Sequence, residues 1–246
     1  MHIKNCNNID DFRDMAKSRI PSPLFHYIDG GSDDEVTLKR NTLAYDDYFL
    51  VPNGLADVSN INLSTNILGQ KVSSPLFLAP TGMSRLFHHD GERATSRAAE
   101  KYGSYFSLST LSSVSIEEIG QLTSTPKMFQ IYIHKDRSLT YELIERCKKA
   151  NFTSLCLTID TIVAGNRERD LRTGMTMPPK FTLASLFNFG MRPRWVYNYF
   201  THEGFKLANL EGKIRKGTKE SISVIDYLNS QFDTNLSWND AQKAIE

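Results

Sequence analysis

The feature that most constrains the fold is a regular alternation of short apolar segments and amphipathic segments between residues 74 and 160. The apolar segments predict four strands, which are SPLFLAP, SYFSLST, KMFQIYI and SLCLTID. The segments between them predict three helices, which are GERATSRAAEKYG, SIEEIGQL and SLTYELIERCKKANF. Strands that alternate with helices through short connections are typical of parallel β/α units. Such units occur in a (β/α)8 barrel and in an open doubly wound sheet, so the alternation alone leaves both folds open.

Polar residues at the ends of the predicted strands decide between these two folds. In a barrel, functional side chains come from the carboxyl ends of several strands. Here all four strands end in polar or turn-forming residues, which are Pro80, Thr81 and Gly82, then Ser109 and Thr110, then Gln130 and Tyr132, then Thr158 and Asp160. An open dinucleotide-binding sheet would carry G-x-G-x-x-G after its first strand, and that pattern is absent. A single polar residue can cap a strand merely to satisfy a turn, but the series of four favours an α/β fold, a (β/α)8 TIM barrel in which these are the first four strands and helices precede them.

Composition narrows the class of protein further. The chain has 246 residues with a formal net charge of +1, so no nucleic-acid partner is expected. Its three cysteines are irregularly spaced, which argues against a disulfide framework or a zinc site and fits a reducing compartment. The N-terminal residues are polar, so no secretory signal is expected, and no apolar run approaches the roughly 18 residues of a membrane span. We therefore expect a cytoplasmic protein without a metal.

Six segments occur in the order and spacing of a known family, from FHYIDGGSDDEVTLKRN through LAPTGM, SLST, FQIY and LTID to GNRERD. The chain resembles the FMN-dependent 2-hydroxy acid dehydrogenases and oxidases from about Ile9 onward. Its LFHYIDGG and FDTNLSWND segments are most similar to the bacterial L-lactate dehydrogenases. The resemblance implies one domain over residues 1–246 that is incomplete at its C-terminus. Its predicted parts are a helical segment (1–70), the first four strands (75–160) and an active-site loop with an insertion (161–236).

The resemblance also implies roles for particular residues. Tyr27, Tyr132 and Arg167 would bind the substrate, and Tyr132 and Asp160 would be catalytic, with Asp160 pairing with a histidine on a later strand. The residues that would bind the cofactor FMN are Pro80, Thr81, Gly82, Ser109, Gln130 and Thr158. These residue types suit the chemistry, because a flavin needs directional hydrogen bonds and a carboxylate substrate needs cationic or phenolic donors.

The implied function is oxidation of L-lactate to pyruvate, with electrons passed from the reduced flavin to a quinone or a cytochrome. In the family, the base histidine, a carboxylate-binding arginine and a lysine lie on later strands that these 246 residues do not include. The sequence therefore predicts a fragment of a flavoenzyme that is a homo-oligomer when complete. Alternatives are a glycolate- or mandelate-type oxidase, a non-catalytic half-barrel that binds another protein, and, less favoured, another flavin barrel such as a nucleotide dehydrogenase.

Two segments allow two interpretations each. His88 and His89 precede Asp90 and Glu92, which suggests a metal site, but a solvated loop is favoured. The segment FTLASLFNFGMRPRWVYNYF combines aromatic residues with two arginines. It fits a lid packed on the barrel slightly better than a helix at a membrane interface. The expected localisation is therefore cytoplasmic, with peripheral contact at the inner face of the cell membrane as the alternative.

Overall fold

The computed structural model describes residues 2–161, 165–175, 182–210, 233 and 235–245. Part of the predicted active-site loop and insertion therefore lies outside the described residues, namely 162–164, 176–181, 211–232 and 234. The chain divides into two compact units. The first unit comprises Met1–Asn62 and Ala164–Asn198, and the second comprises Leu63–Val163 and Tyr199–Glu246.

The helices and strands follow the predicted order. The helices are α1 (Ile9–Arg19), α2 (Ser22–Asp29), α3 (Val36–Leu43), α4 (Gly91–Tyr102), α5 (Ile116–Leu122), α6 (Arg137–Lys149), α7 (Glu168–Thr173), α8 (Leu183–Gly190), α9 (Pro193–Thr201) and α10 (Trp238–Ile245). The strands are β1 (Thr65–Ile67), β2 (Gln70–Val72), β3 (Phe77–Leu78), β4 (Tyr105–Ser109), β5 (Lys127–Ile131) and β6 (Ser154–Leu157). Short 3₁₀ helices occur at Ile3–Asn5, Ala44–Asp47 and Ser84–Leu86.

The first unit is built from helices. The side chain of Asn8 accepts a hydrogen bond from the amide of Asp11 and so caps the start of α1, while a proline in the first turn of α2 suits a position that needs no amide donor. α2 packs against α1, α7 and α8. Leu24 and Phe25 of α2 are 3% exposed each, which places the core of this unit along α2.

An irregular segment of the first unit, residues 48–62, leaves its apolar side chains in solvent. We call it the apolar strap. It contains no helix or strand, and its exposed apolar residues are Tyr48, Phe49, Leu50, Val51, Leu55, Val58 and Ile61. So many exposed apolar side chains within one short segment are unusual, and large exposed apolar patches mark interaction sites or aggregation-prone surfaces.

The second unit contains a four-stranded parallel sheet in the order β3-β4-β5-β6, with sequential neighbours paired. All residues of β4 are buried, and Leu108 and Phe129 are 0% exposed. α4 packs against β4, and α5 packs against α4 and α6, so the helices cover one face of the sheet. This sheet confirms the predicted parallel β/α units. An antiparallel hairpin, β1–β2, precedes it, and its first strand lies within residues 1–70, for which the sequence predicts a helical segment.

Local signals account for the boundaries of the helices in this unit. The Ser115 hydroxyl accepts from the Glu118 amide over 3.1 Å at the start of α5, as the capping box predicts. α4 ends at Gly103, whose φ of +61° is left-handed and favours glycine. A Cβ at Gly103 would lie 2.1 Å from the Ser73 hydroxyl oxygen, so no larger residue fits there without a shift.

No helix among the described residues is long and apolar enough to span a membrane.

Candidate active site

Three polar side chains form a hydrogen-bonded row across the carboxyl ends of β4, β5 and β6. The Ser109 hydroxyl donates to the side-chain oxygen of Gln130 over 3.1 Å, and the Gln130 amide nitrogen donates to the hydroxyl oxygen of Thr158 over 2.5 Å. The parallel register places Ser109 opposite Gln130. Ser109 and Gln130 are 4% and 5% exposed, so these polar groups are oriented by each other. We call Ser109, Gln130 and Thr158 the polar row.

The loop after β3 passes close to the loop after β4. The Met83 amide donates to the Leu111 carbonyl over 2.9 Å. A Cβ at Gly82 would lie 3.1 Å from the Leu111 Cβ and 3.6 Å from the Ser109 hydroxyl oxygen, so glycine permits this approach. Pro80 is half-buried and Thr81 is exposed. The structure therefore brings the predicted cofactor residues of the first loop next to the polar row.

Tyr132 and Asp160 lie beyond the strand ends in the same unit. Burial and then the Asp160 carboxylate raise the pKa of the Tyr132 phenol above its usual value. Tyr132 therefore keeps its proton at neutral pH and can donate a hydrogen bond. Asp160 is exposed. Tyr132 and Thr158 line a cavity of about 20 Å³, which is large enough for one water molecule.

The other two predicted site residues, Tyr27 and Arg167, contact each other in the first unit. The Arg167 guanidinium lies 5.1 Å from the centroid of the Tyr27 ring, a cation–π contact, and Arg167 Nη2 donates to the Tyr27 carbonyl. Arg167 Nε donates to Asp170 Oδ2 over 2.6 Å. Among the described residues, none accepts a hydrogen bond from Arg167 Nη1, so this edge of the guanidinium can meet an anion.

Arg169, the second arginine of the GNRERD segment, has a different task. Its Nη1 donates to Asp29 Oδ2 over 2.9 Å, and its Nη2 donates to the Glu35 carboxylate. The Arg13 guanidinium, and after it Arg169, holds the pKa of Asp29 below its usual value. Arg169 therefore ties α7 to the end of α2, a role that the sequence does not indicate because the partners lie more than a hundred residues away.

Two buried polar residues near the loops make contacts that the sequence does not indicate. Glu92, 2% exposed, accepts from the amides of Ser84 and Ser113. Asn209, also 2% exposed, accepts from the Ile116 amide over 2.9 Å and donates to the Ser112 hydroxyl over the same distance. The contacts of Glu92 cannot be predicted from the sequence, because a carboxylate is common in the first turn of a helix. Those of Asn209 cannot be predicted either, because it lies in a segment without a recognisable motif.

The histidines do not form a metal site among the described residues. The His89 ring packs against two other imidazole rings in tilted arrangements, with centroid distances of 4.3 Å to His88 and 4.1 Å to His202. Burial and the neighbouring histidine charges lower the pKa of His89. No group of three histidine, cysteine or acidic side chains in the described part of the chain is arranged to hold a metal ion. His88 is exposed, as expected for a loop residue, whereas the packing of His89 was not expected.

Comparison with known proteins gives sequence relatives along nearly the whole chain. The chain is 37% identical over 235 residues to a putative L-lactate dehydrogenase of Mycobacterium tuberculosis, and 37% identical over 233 residues to the L-lactate dehydrogenase of Vibrio parahaemolyticus. It is 34% identical over 233 residues to the glycolate oxidase of Spinacia oleracea. These alignments cover 94%, 94% and 95% of this chain but only 55%, 61% and 57% of the respective relatives.

Solved structures show the same relationship. A crystal structure of the monotopic membrane protein (S)-mandelate dehydrogenase aligns with a TM-score of 0.85 and 29% identity, covering 96% of this chain and 62% of that chain. A lactate oxidase of Pediococcus acidilactici aligns with a TM-score of 0.68 and 35% identity, covering 76% of this chain and 52% of that chain. The fold is therefore the N-terminal part of a TIM barrel, and the described strands do not close the barrel.

The sequence model of FMN-dependent dehydrogenases matches residues 16–246, which is most of the chain. The chain belongs to the FMN-dependent dehydrogenase family.

Proposed function

We propose that this chain forms the flavin-facing part of an FMN-dependent L-2-hydroxy acid dehydrogenase that oxidises L-lactate to pyruvate. The observation that carries the proposal is the polar row beside the loop at Gly82, because it lines up hydrogen-bonding groups at the ends of three strands next to a glycine backbone. Two relatives named L-lactate dehydrogenase, each 37% identical, support the choice of substrate.

The polar row and the Gly82 loop fit a flavin. A flat ring with a polar edge needs donors and acceptors in one line and a backbone that it can approach without a Cβ in the way. Ser109, Gln130 and Thr158 would hydrogen-bond the ring, and the backbone of Pro80, Thr81 and Gly82 would lie against it. Bound FMN supplies the two-electron acceptor for the oxidation.

The remaining site residues would handle the substrate. The Tyr132 phenol, whose raised pKa keeps it protonated, would donate to a substrate oxygen. Tyr27 and the open edge of Arg167 would bind the carboxylate, which favours a charged donor over a neutral one. Asp160 would orient a histidine of the same barrel and stabilise its charged form after it takes the substrate hydroxyl proton.

The preference for lactate follows from the wall of the proposed pocket. Gly82 and Leu111 would flank the substrate side chain, and Leu111 presents a branched apolar surface. Burying one methyl group is worth roughly 0.8 kcal/mol, so L-lactate should be preferred to glycolate by that order. Discrimination by one methyl group rarely exceeds about 3 kcal/mol, so glycolate should still react slowly.

The test is the kcat/KM for glycolate, L-lactate and L-mandelate, measured on a barrel in which this chain is joined to the C-terminal portion of the Vibrio parahaemolyticus relative. We expect L-lactate to give the highest value. A highest value for glycolate would show that the lactate assignment is wrong. A highest value for mandelate would show that the space at Gly82 outweighs the Leu111 wall.

The 246-residue chain alone should not retain FMN. In TIM barrels the phosphate group commonly binds at the loops after strands seven and eight, whereas the described parallel sheet has four strands. The check is the visible spectrum of the purified chain, where a stoichiometric flavin band would contradict the prediction. A stable, flavin-free product that binds a second chain through the unpaired edges of β3 and β6 would instead favour a half-barrel binding module.

We propose in addition that α8 and α9 contact a membrane surface, which would bring the reduced flavin near a quinone or a cytochrome as electron acceptor. The exposed apolar residues of these helices and the turn between them are Leu183, Leu186, Phe187, Met191, Tyr197 and Phe200. Apolar residues beside arginines suit the headgroup region of a bilayer. We propose that the enzyme is a homo-oligomer.

Sedimentation with anionic lipid vesicles tests this contact. Replacing Leu183 and Phe187 with serine should release the protein from vesicles. Tyr141→Ser, at an exposed aromatic position on α6, is the matched control and should leave binding unchanged. Equal binding by all three proteins would instead favour a lid function for α8 and α9.

A further inference from the structure

Glu92 joins two loops of the second unit through a single oxygen atom. Its Oε1 accepts from the Ser84 amide over 3.2 Å and from the Ser113 amide over 3.1 Å. Ser84 belongs to the loop after β3, and Ser113 belongs to the loop after β4. Glu92 itself lies in the first turn of α4, so it contributes to neither loop directly.

Burying the Glu92 carboxylate at this position costs free energy, so we expect its hydrogen bonds to offset that cost. Glu92 is 2% exposed, and its Oε2 has no hydrogen-bond partner among the described residues. Burying an unpartnered polar atom costs free energy. The amino end of a helix stabilises a negative charge in its first turn, and bonds from amides to a charged acceptor are stronger than neutral ones. The two hydrogen bonds to the Glu92 carboxylate therefore stabilise the contact between the two loops.

The two loops are the ones that carry predicted flavin-facing residues. In the first loop, the Thr81 hydroxyl lies 3.3 Å from the Ser84 hydroxyl. In the second, the Leu111 amide donates to the Ser109 hydroxyl oxygen over 3.1 Å. The loops touch where the Met83 amide donates to the Leu111 carbonyl over 2.9 Å.

We propose that Glu92 is a positioning residue that holds these two loops in register, so that the backbone at Gly82 and the hydroxyl of Ser109 form one surface for the flavin ring. The flavin in this statement rests on the proposed function, whereas the coupling of the loops does not. The Arg85 amide also donates to the Ser113 hydroxyl over 3.3 Å, so this bond and the Met83–Leu111 bond still join the loops when Glu92 is replaced.

Amide hydrogen exchange on the 246-residue chain tests the coupling. Glu92→Ala should raise exchange at Ser84 and Ser113 by about tenfold, the effect of losing a typical hydrogen bond. It should also raise exchange at Met83, which makes no bond to Glu92 and reports the contact between the loops. Glu92→Gln keeps a side-chain oxygen acceptor and should restore most of the protection at all three amides.

The matched control is Glu100→Ala on the same helix. Glu100 accepts from the Ser124 amide over 2.8 Å, so its replacement should raise exchange at Ser124 and leave the other three amides unchanged. If Glu92→Ala does not fold, Glu92→Asp replaces it, because the shortened carboxylate cannot reach both amides and should give the same exchange pattern.

Unchanged exchange at Met83, or equal exchange in the Gln and Ala variants, would overturn the proposal. In the barrel that joins this chain to the C-terminal portion of a relative, FMN should slow exchange in both loops. If bound FMN leaves exchange in both loops unchanged there while the Glu92 variants behave as expected, the proposed flavin-facing role of the loops fails and the positioning role of Glu92 stands.

Discussion

The central and outer strands of the parallel sheet both carry polar residues at their carboxyl ends, but these side chains differ in solvent exposure. Ser109 and Gln130, on β4 and β5, are 4% and 5% exposed and bond to each other. Thr81 after β3 and Asp160 after β6 are exposed. A central strand is held by hydrogen bonds on both sides, whereas an outer strand is held on one. The two proposed flavin-ring residues on the central strands are therefore fixed within this chain, while the proposed catalytic carboxylate is not shielded by it.

The largest expected effect concerns His134, which follows the central strand β5. It is 2% exposed, and its ring nitrogens have no partner among the described residues. Burial lowers the pKa of His134 to about 4, below the ordinary 6.5. The His134 imidazole therefore takes up a proton at a higher pH in the unfolded chain than in the folded chain. The free energy of unfolding is then highest above about pH 6.5 and falls as the pH falls toward 4.

The loss should reach about 3 kcal/mol at the acid end of this window, at about 1.4 kcal/mol for each pH unit. The measurement is the free energy of unfolding in urea between pH 7 and pH 4. His134→Phe should remove most of the dependence in this window, and His88→Phe, at an exposed histidine, should leave it in place. A His134→Phe profile parallel to that of the unmodified chain would show that another group controls acid unfolding.

The next effect tests the contrast between centre and edge directly. Gln130→Leu removes the acceptor of the Ser109 hydroxyl and the donor to Thr158, so the free energy of unfolding should fall by about 2 kcal/mol. Asp160→Asn, at an exposed position, should change it by less than about 0.5 kcal/mol. Urea denaturation of both variants gives the comparison, and equal losses would remove the distinction between the two parts of the sheet.

A kinetic effect of similar or smaller size concerns the two tyrosines of the proposed substrate site. In the completed barrel, Tyr27→Phe or Tyr132→Phe should lower kcat/KM by a factor equivalent to about 1 to 3 kcal/mol of transition-state stabilisation. The reason is that a charged substrate group is left without a hydrogen bond. Steady-state kinetics with L-lactate is the measurement. Unchanged values for both variants would refute the assignment of these residues to the substrate.

The smallest effect concerns Gly82→Ala. The new Cβ would lie 3.1 Å from the Leu111 Cβ, so Leu111 must give by a few tenths of an ångström and the proposed pocket becomes smaller. The ratio of kcat/KM for L-mandelate to that for L-lactate should fall by a factor equivalent to about 1 kcal/mol. A ratio that rises in the variant would show that position 82 does not limit the side chain of the substrate.

The sequence predicts those parts of the site that depend on the alternation of strands and helices and on the order of the strands along the chain. Parallel strands that follow one another in the chain are neighbours in the sheet, so polar residues at successive strand ends must come together. Ser109, Gln130 and Thr158 do so, and the capping box at Ser115 marks the start of α5 as expected. Local chemistry and strand order were sufficient for these features.

The remaining features depend on partners that are distant in the sequence. The bonds from Arg169 to Asp29 and Glu35, and those from Asn209 to Ser112, cross about a hundred residues or more, and no periodic pattern records them. The hairpin β1–β2 was missed because its strands are three residues each and largely polar or exposed. Residues that hold loops in place are therefore identified only in the folded structure, since their residue types are common and do not indicate their distant partners.

The apolar strap has a practical consequence for handling the protein. Leu50 is exposed and lies outside any helix or strand, and exposed irregular segments are preferred sites of proteolytic cutting. A single cut there would divide the polypeptide into two pieces without releasing the first helices. Arg169 on the C-terminal piece would still hold Asp29 on the N-terminal piece, and α2 would stay packed on α7. The nicked protein should therefore run as one particle on a sizing column and as two bands on a denaturing gel.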